Sequence, residues 1–392
     1  MNRDFVFTSE SVTPGHPDKL CDQISDAVVD AFLERDPTAR VATEAAVSGG
    51  VVFLAAHFAA DARPDLGEIA RSVVSDVGYL EGGFNAEDCT VMASQALLPA
   101  ERFPCVDVDR LSDDEIEHLA AGNLVTVFGF ACTDTPTLMP LPIVMAHALA
   151  QRLHEARRTL KYLAPDAKAQ VGIAYEGLRP RRVHSVTIVA TQSRSGEPRP
   201  ERLREDLIQQ VVEPVLKRML PEGWHGAQIA INPEGPIVGG GPALHAGLTG
   251  RKNDIDTYGE FARHSGAALS GKDPLRIDRT GAYAARHAAK QIVAAGLATQ
   301  CELQLSYSIG HARPVGVRIE TFGTGKADDA ELERRVAQHF DFRPAGIVRR
   351  FGLQHLPKRR KGFYRRLAVF GQMGREDLDA PWERLDAVDW VR

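Results

Sequence analysis

The sequence predicts an α+β fold in which helices cover one face of each of several sheets. Three observations predict it. Residues 18–35, DKLCDQISDAVVDAFLER, place Leu20, Ile24, Ala27, Val28, Ala31 and Phe32 at helical spacing with acids on the other side, an amphipathic helix. Residues 183–192, VHSVTIVATQ, and 303–310, LQLSYSIG, alternate apolar and polar positions as strands do. Strand-like and helix-like segments are mixed along the chain, which suits sheets with helices on one face.

The elements follow in order. Pro17 stands where the first helix would begin. GVVFLAAHF, residues 50–58, is apolar and led by glycine, so a buried strand is expected. Residues 203–219 and 282–298 carry further helical patterns. Two seams divide the chain: the Asp- and Glu-rich stretch 101–119, and the Gly- and Pro-rich stretch 232–250, NPEGPIVGGGPALHAGLTG. The second is expected to border a site, because glycine lets backbone approach a ligand closely.

A chain of 392 residues is too long for one compact core, so two or three domains are expected. Hydrophobic content of 44% and charged content of 25% are ordinary for a soluble protein. No apolar run approaches the roughly 20 residues of a membrane helix. The start, MNRDFVFTSESV, lacks the pattern of a signal peptide. Cys21, Cys89, Cys105, Cys132 and Cys301 lie far apart without a C-x-x-C pair, which argues against zinc and a disulfide framework and for reduced thiols in the cytoplasm. A net charge of −5 argues against general nucleic-acid binding. Lys358-Arg359-Arg360-Lys361 is read as a solvated basic loop.

Two clusters carry chemistry. Gly15-His16-Pro17-Asp18-Lys19 opens the first helix, where free N–H groups and the dipole favour an anion. His16 adds a donor, Lys19 a cation and Asp18 a magnesium ligand. The second cluster joins Gly250-Arg251-Lys252 to Ser270-Gly271-Lys272-Asp273-Pro274, Arg276, Asp278 and Arg279. Its cations suit a polyphosphate, with Asp278 bringing magnesium between them; an exposed basic loop is the plain alternative. Lys168, after Asp166, is a further candidate phosphate cation, or part of a turn. Asp273 follows Lys272 where a P-loop needs Ser or Thr, so phosphate chemistry here needs another scaffold.

FTSESVTPGHPDKLCDQISDAVVDA (7–31), TDTPTLMPLPIVMAHALAQRL (133–153), PDAKAQV (165–171), GLTGRK (247–252), DTYG (256–259), SGKDP (270–274), IDRTGAYAAR (277–286), LQLSYSIG (303–310) and ETFGTG (320–325) resemble, in order, the S-adenosylmethionine synthetase family. The resemblance implies three α+β domains related by pseudo-threefold symmetry, here 1–104, 115–231 and 232–392. It implies a homodimer, or a dimer of such dimers, with active sites at the subunit interface and no nucleic-acid or membrane partner. It also implies the reaction: methionine sulfur attacks C5′ of ATP and expels triphosphate, which is hydrolysed to phosphate and diphosphate.

Carried over by position, His16 would sit near the breaking C5′–O bond. Asp18 and Asp278 would bind Mg²⁺, and Glu44 K⁺. Lys168, Arg251, Lys252 and Lys272 would hold the phosphates, and Glu10 would touch substrate. Arg276 stands where the family has Lys and offers a fork of donors instead. Other positions depart. His57 replaces a glutamate and Asn123 an aspartate at the amino-acid end, and Leu98 falls near a loop glutamine. Ile237 replaces an aromatic residue at the base, and His245 an aspartate near the ribose. The departures motivate two alternatives to methionine adenosyl transfer: a changed acceptor, nucleoside or plain triphosphate hydrolysis, and a non-catalytic nucleotide-binding homologue.

Overall fold

The computed structural model describes residues 4–80, 82–193 and 199–391; the MNR that opens the chain lies outside them. Twelve strands are formed among them: β1 (Phe5–Val12), β2 (Arg40–Ser48), β3 (Val51–Ala59), β4 (Thr90–Leu97), β5 (Val125–Cys132), β6 (Leu163–Glu176), β7 (Arg179–Gln192), β8 (Gln228–Ile231), β9 (Ile237–Val238), β10 (Gly247–Leu248), β11 (Gln300–Tyr307) and β12 (Gly316–Glu320). They make three sheets, ordered β1-β6-β7-β8 with β9 also on β7, then β10-β2-β3-β4, then β12-β11-β5. Helices cover one face of the sheets, as the α+β pattern requires.

Sheet membership crosses the segments 1–104, 115–231 and 232–392 in a cycle. The first segment gives β1 to the sheet of the second, the second gives β5 to the sheet of the third, and the third gives β10 to the sheet of the first. Each exchange spans more than 100 residues of sequence, so no local pattern announces it. It sets the ends of all three segments against one another, and the candidate residues lie on those seams.

The first helix forms as expected, Pro17–Arg35, but it is buried nearly all round. The acids read as its polar face are inside. They form an i, i+4 stripe stitched to the C-terminal third of the chain. Asp18 accepts the N–H of Leu248 (3.0 Å) and Asp22 that of Gly250 (2.8 Å). Asp26 pairs with Arg279 (2.7 Å), and Asp30 accepts the N–H groups of Tyr364 (3.0 Å) and Arg365 (2.8 Å). Buried carboxylates persist only when so satisfied. The second expectation to change is the strand at 50–58. It forms as β3, but one face is open, with Val51, Phe53 and His57 exposed.

Residues 203–219 are helical with a π turn at Ile208–Val212. Pro214, just beyond it, lacks an N–H, and the carbonyl of Gln210 instead accepts from Arg152 Nε at 2.8 Å. The helix expected at 282–298 runs Ile277–Ala294. In the basic stretch 358–361, Arg360 is tied to the carbonyls of Leu378 and Asp379 (2.8 Å each), while Lys358 and Lys361 are exposed.

His147, on the helix Leu141–Ala156, is half-buried with its Nε2 out of solvent and its Nδ1 bonded to Ser11 Oγ at 2.8 Å. Burial pushes its pKa down to about 3, helped by the charges of Arg375 and Lys19. The unfolded chain therefore binds one more proton below pH 6.5, and stability falls as pH drops through that value. We expect about 2 kcal/mol to be lost from this group between pH 7.5 and 5. Urea unfolding at the two pH values, with His147→Gln as the control lacking this part of the slope, checks it.

Candidate active site

The chain turns sharply at Gly15, where any Cβ would come within 2.4 Å of Pro165. His16 follows as the N-cap of the first helix and accepts the Asp18 N–H on Nδ1 at 3.2 Å. Burial pushes its pKa down to about 4, with Lys168 and Lys252 adding to the effect and Asp166 and Asp18 opposing it. The ring is therefore neutral at physiological pH, and with Nδ1 accepting, its proton sits on Nε2. His16 is a fixed, uncharged donor.

Around it stand the other residues of this group. Asp18 lies 3.7 Å from Arg251 Nε and 3.5 Å from Lys252 Nζ. Lys168 sits on β6 opposite Val12 of β1, with Glu10 two residues earlier on β1. The His245 ring lies 5.2 Å from that of His16, and its Nε2 is 2.8 Å from Asp166 Oδ2, which also accepts the Gly241 N–H at 3.0 Å. Ile237, on β9, pairs with Thr191, whose hydroxyl donates to the Asp166 carbonyl at 2.6 Å. The glycine-rich stretch 232–250 thus borders this group of residues. Lys19 does not contribute the expected free cation. It is buried between Asp22 and Asp256, 3.0 and 2.5 Å from their carboxylates.

A second group forms at the start of the helix Ile277–Ala294, beside Asp26 of the first helix. Gly271, with φ of +81°, lets the chain pass so close to Thr43 O that a Cβ would meet it at 2.0 Å. Lys272 Nζ then lies 3.3 Å from Asp278 Oδ1, which also accepts Asn123 Nδ2 at 2.7 Å. Burial pushes the Lys272 pKa down; Asp278 opposes this, and Glu44 does so more weakly. Arg276 pairs with Asp273 at 3.5 Å and lies over Phe103. Arg40, Arg102, Phe103, Asn123, Arg276 and Asp278 wall a cavity of about 220 Å³.

Two expected residues lie on the open sheet face. Glu44 and His57 project from the open face of the β10-β2-β3-β4 sheet, on adjacent strands, with His57 opposite Ala42. Among the described residues His57 makes no hydrogen bond or ion pair with either group. Sequence reasoning gave no role to Asp166, Arg40, Arg102 or Phe103. Asp166 was legible only as a neighbour of Lys168; nothing local marks the other three.

In sum of charge and shape, the first group offers a neutral donor flanked by cations at a helix start, and the second a lysine, an arginine and a carboxylate around a small cavity. Neither contains a nucleophile beside a base.

Profiles of the S-adenosylmethionine synthetase N-terminal, central and C-terminal domains match residues 4–96, 118–237 and 239–384. The chain is 45% identical to the S-adenosylmethionine synthase of Synechococcus elongatus, with 100% of this chain and 98% of that relative covered. It is 44% identical to the S-adenosylmethionine synthase of Gloeothece citriformis, covering 99% and 96%, and 45% identical to that of Trichormus variabilis, covering 100% and 97%. Full-length identity at this level, with all three domains in order, leaves one conclusion: the chain belongs to the S-adenosylmethionine synthetase family.

Proposed function

We propose that the chain is a methionine adenosyltransferase, making S-adenosylmethionine from ATP and methionine with release of phosphate and diphosphate. The observation that carries this is the neutral His16 donor held beside Asp18, Arg251 and Lys252 at the start of a helix. A thioether is uncharged and needs no general base. The work lies in taking up the charge that develops on the leaving oxygen. His16 Nε2–H donates to that oxygen, and Lys168, Arg251, Lys252 and Lys272 hold the phosphates.

The residues fit a divalent metal. Asp278 Oδ2 has no protein donor among the described residues, and Asp18 offers a second carboxylate between cations. One or two carboxylates plus substrate phosphates is the usual Mg²⁺ environment, and the bound ion supplies charge neutralisation to the triphosphate. Glu44, exposed and without an ion pair among the described residues, suits K⁺.

The partner is a second copy. Leu248, Ala46, Phe53 and Met92 stand in one row across all four strands of a sheet, and Phe53 and Met92 are 45% and 55% exposed. An open apolar face of this kind marks an interface. A second copy there would bring His57 and Glu44 of each protomer against the other. Phe53→Asp is expected to give a monomer by light scattering and to lose more than about tenfold in activity. A dimer of full activity would refute the arrangement. The cytoplasm is the compartment we assign, on the five free thiols; among the described residues no helix is long and apolar enough to cross a membrane.

Incubation with ATP, methionine, Mg²⁺ and K⁺ tests the function, with mass spectrometry of the nucleoside product. S-adenosylmethionine with phosphate and diphosphate is expected. Adenosine without sulfonium would mean hydrolysis alone, and bound ATP without turnover a non-catalytic homologue.

A further inference from the structure

We propose that His16, Asp166 and His245 form a binding site for Zn²⁺, separate from the magnesium carboxylates, and that zinc held there switches the enzyme off. The site itself stands on geometry. Only its effect on turnover rests on the adenosyl-transfer reading above.

A ring nitrogen of His16, a carboxylate oxygen of Asp166 and a ring nitrogen of His245 lie within 4.8 Å of one another. The turn at Gly15, strand β6 and the glycine-rich stretch before β10 bring them together. All three come from one chain, so the site is complete before a second copy arrives. A group from that copy would occupy an open position and remove none of the three. His16 and Asp166 are 2% and 4% exposed. His16 Nδ1 is held by the Asp18 N–H, whereas Nε2 has no hydrogen bond among the described residues. Asp166 Oδ2 accepts from Gly241 and pairs with His245, whereas Oδ1 has no partner among them. Each buried side chain thus keeps one ligand atom in hand. Ligands about 2.1 Å from a tetrahedral metal stand roughly 3.4 Å apart. His245 has room to close to that spacing, since its side chain is 42% exposed and its Nε2 is already 2.8 Å from Asp166.

Two imidazoles and one carboxylate suit Zn²⁺, whereas Mg²⁺ takes oxygen ligands. Three protein ligands leave a position open, as in sites that exchange ligands. His245 decides the matter. The family pattern has an aspartate there, and with it the trio would hold a single nitrogen ligand. Lys168 and Lys252 oppose a cation at His16, and Asp166 and Asp18 favour it. The metal takes the Nε2 lone pair, so the His16 proton moves to Nδ1 and the 3.2 Å bond from the Asp18 N–H is given up. Asp18 Oδ2, 3.8 Å from Nδ1, then faces that proton; a carboxylate behind a ligating imidazole is the usual arrangement. The proton between His245 and Asp166 moves to His245 Nδ1. His16 has no Nε2–H left to offer the leaving oxygen, and transfer stops.

The test uses the full-length protein, freed of transition metals and kept in excess Mg²⁺. Zn²⁺ is titrated by calorimetry, and Co²⁺ serves as a visible probe of a low-coordinate site. One Zn²⁺ per chain is expected, bound at least about 100-fold more tightly than Mg²⁺. His245→Ala and Asp166→Asn should each weaken it about tenfold or more. His355→Ala, which breaks up the cluster Asp107, Asp109 and His355 elsewhere on the chain, should leave it unchanged. Zn²⁺ should inhibit adenosyl transfer over the range in which it binds, and a zinc-selective chelator should restore the rate with Mg²⁺ still present. Binding that survives both His245→Ala and Asp166→Asn, or that is lost with His355→Ala, overturns the site. Zinc bound there with transfer undiminished overturns the switch. Absence of adenosyl transfer in zinc-free protein overturns the functional reading alone, because calorimetry reads the metal site by itself.

Discussion

Replacing Lys272 by methionine is expected to lower the turnover of adenosyl transfer by about 10²–10³-fold, the usual cost of removing one preorganised donor from a developing negative charge. The ammonium is held by its surroundings rather than by its own reach. Gly271 fixes the backbone against β2, Arg279 donates to the Lys272 carbonyl at 3.1 Å, and Asp278 faces Nζ at 3.3 Å. A cation placed in this way needs no rearrangement when the triphosphate leaves. Methionine keeps the stem and removes the charge, which leaves the buried Asp278 with Asn123 as its partner; some stability is lost with it, and denaturant unfolding of the variant confirms that the rate is read on folded protein. Single-turnover formation of S-adenosylmethionine separates this step from product release. A rate within threefold of the parent protein would remove Lys272 from the charge-stabilising set.

The largest loss of stability is expected from Arg279→Met. Arg279 makes two bonds to Asp26, at 2.7 and 2.8 Å, and both side chains are fully buried. Its Nε donates to Tyr283 Oη at 2.8 Å, and its guanidinium lies 4.4 Å from the Tyr364 ring centroid. Asp26 also accepts the Gly271 N–H at 2.8 Å. Without the arginine a carboxylate is left in the core with no counter-charge, which costs about 3–5 kcal/mol. Most of that is the stranded charge and not the worth of the pair. Asp26→Asn on top of Arg279→Met should therefore restore a good part of the stability. Denaturant unfolding of the two variants decides the matter, and a single-variant loss under about 1 kcal/mol would contradict it.

The sequence by itself determined the family and the α+β class, and it pointed to the residues proposed here to hold the phosphates. Those features are local. His16, Pro17 and Asp18 mark a helix start within three residues, and alternation over eight or ten residues marks β7 and β11. Gly271-Lys272 belongs to a short run of glycine and cations. What the tertiary structure decided is everything that depends on segments meeting. The polar face of the first helix is the clearest case. Asp18, Asp22, Asp26 and Asp30 have the spacing of a solvated stripe, and periodicity sees only that they are acids on one side. They are buried because Leu248, Gly250, Arg279, Tyr364 and Arg365 arrive from more than 200 residues away with the donors they need. Lys19 is consumed by the same packing through Asp256. His57 has the pattern of a covered strand, yet it lies on the open face, because the helices that pack on this sheet cover its other side. Whether a polar residue is solvated, stitched or free for a ligand is set by its neighbours across the fold, and a burial penalty of several kcal/mol for an unmatched charge decides among them.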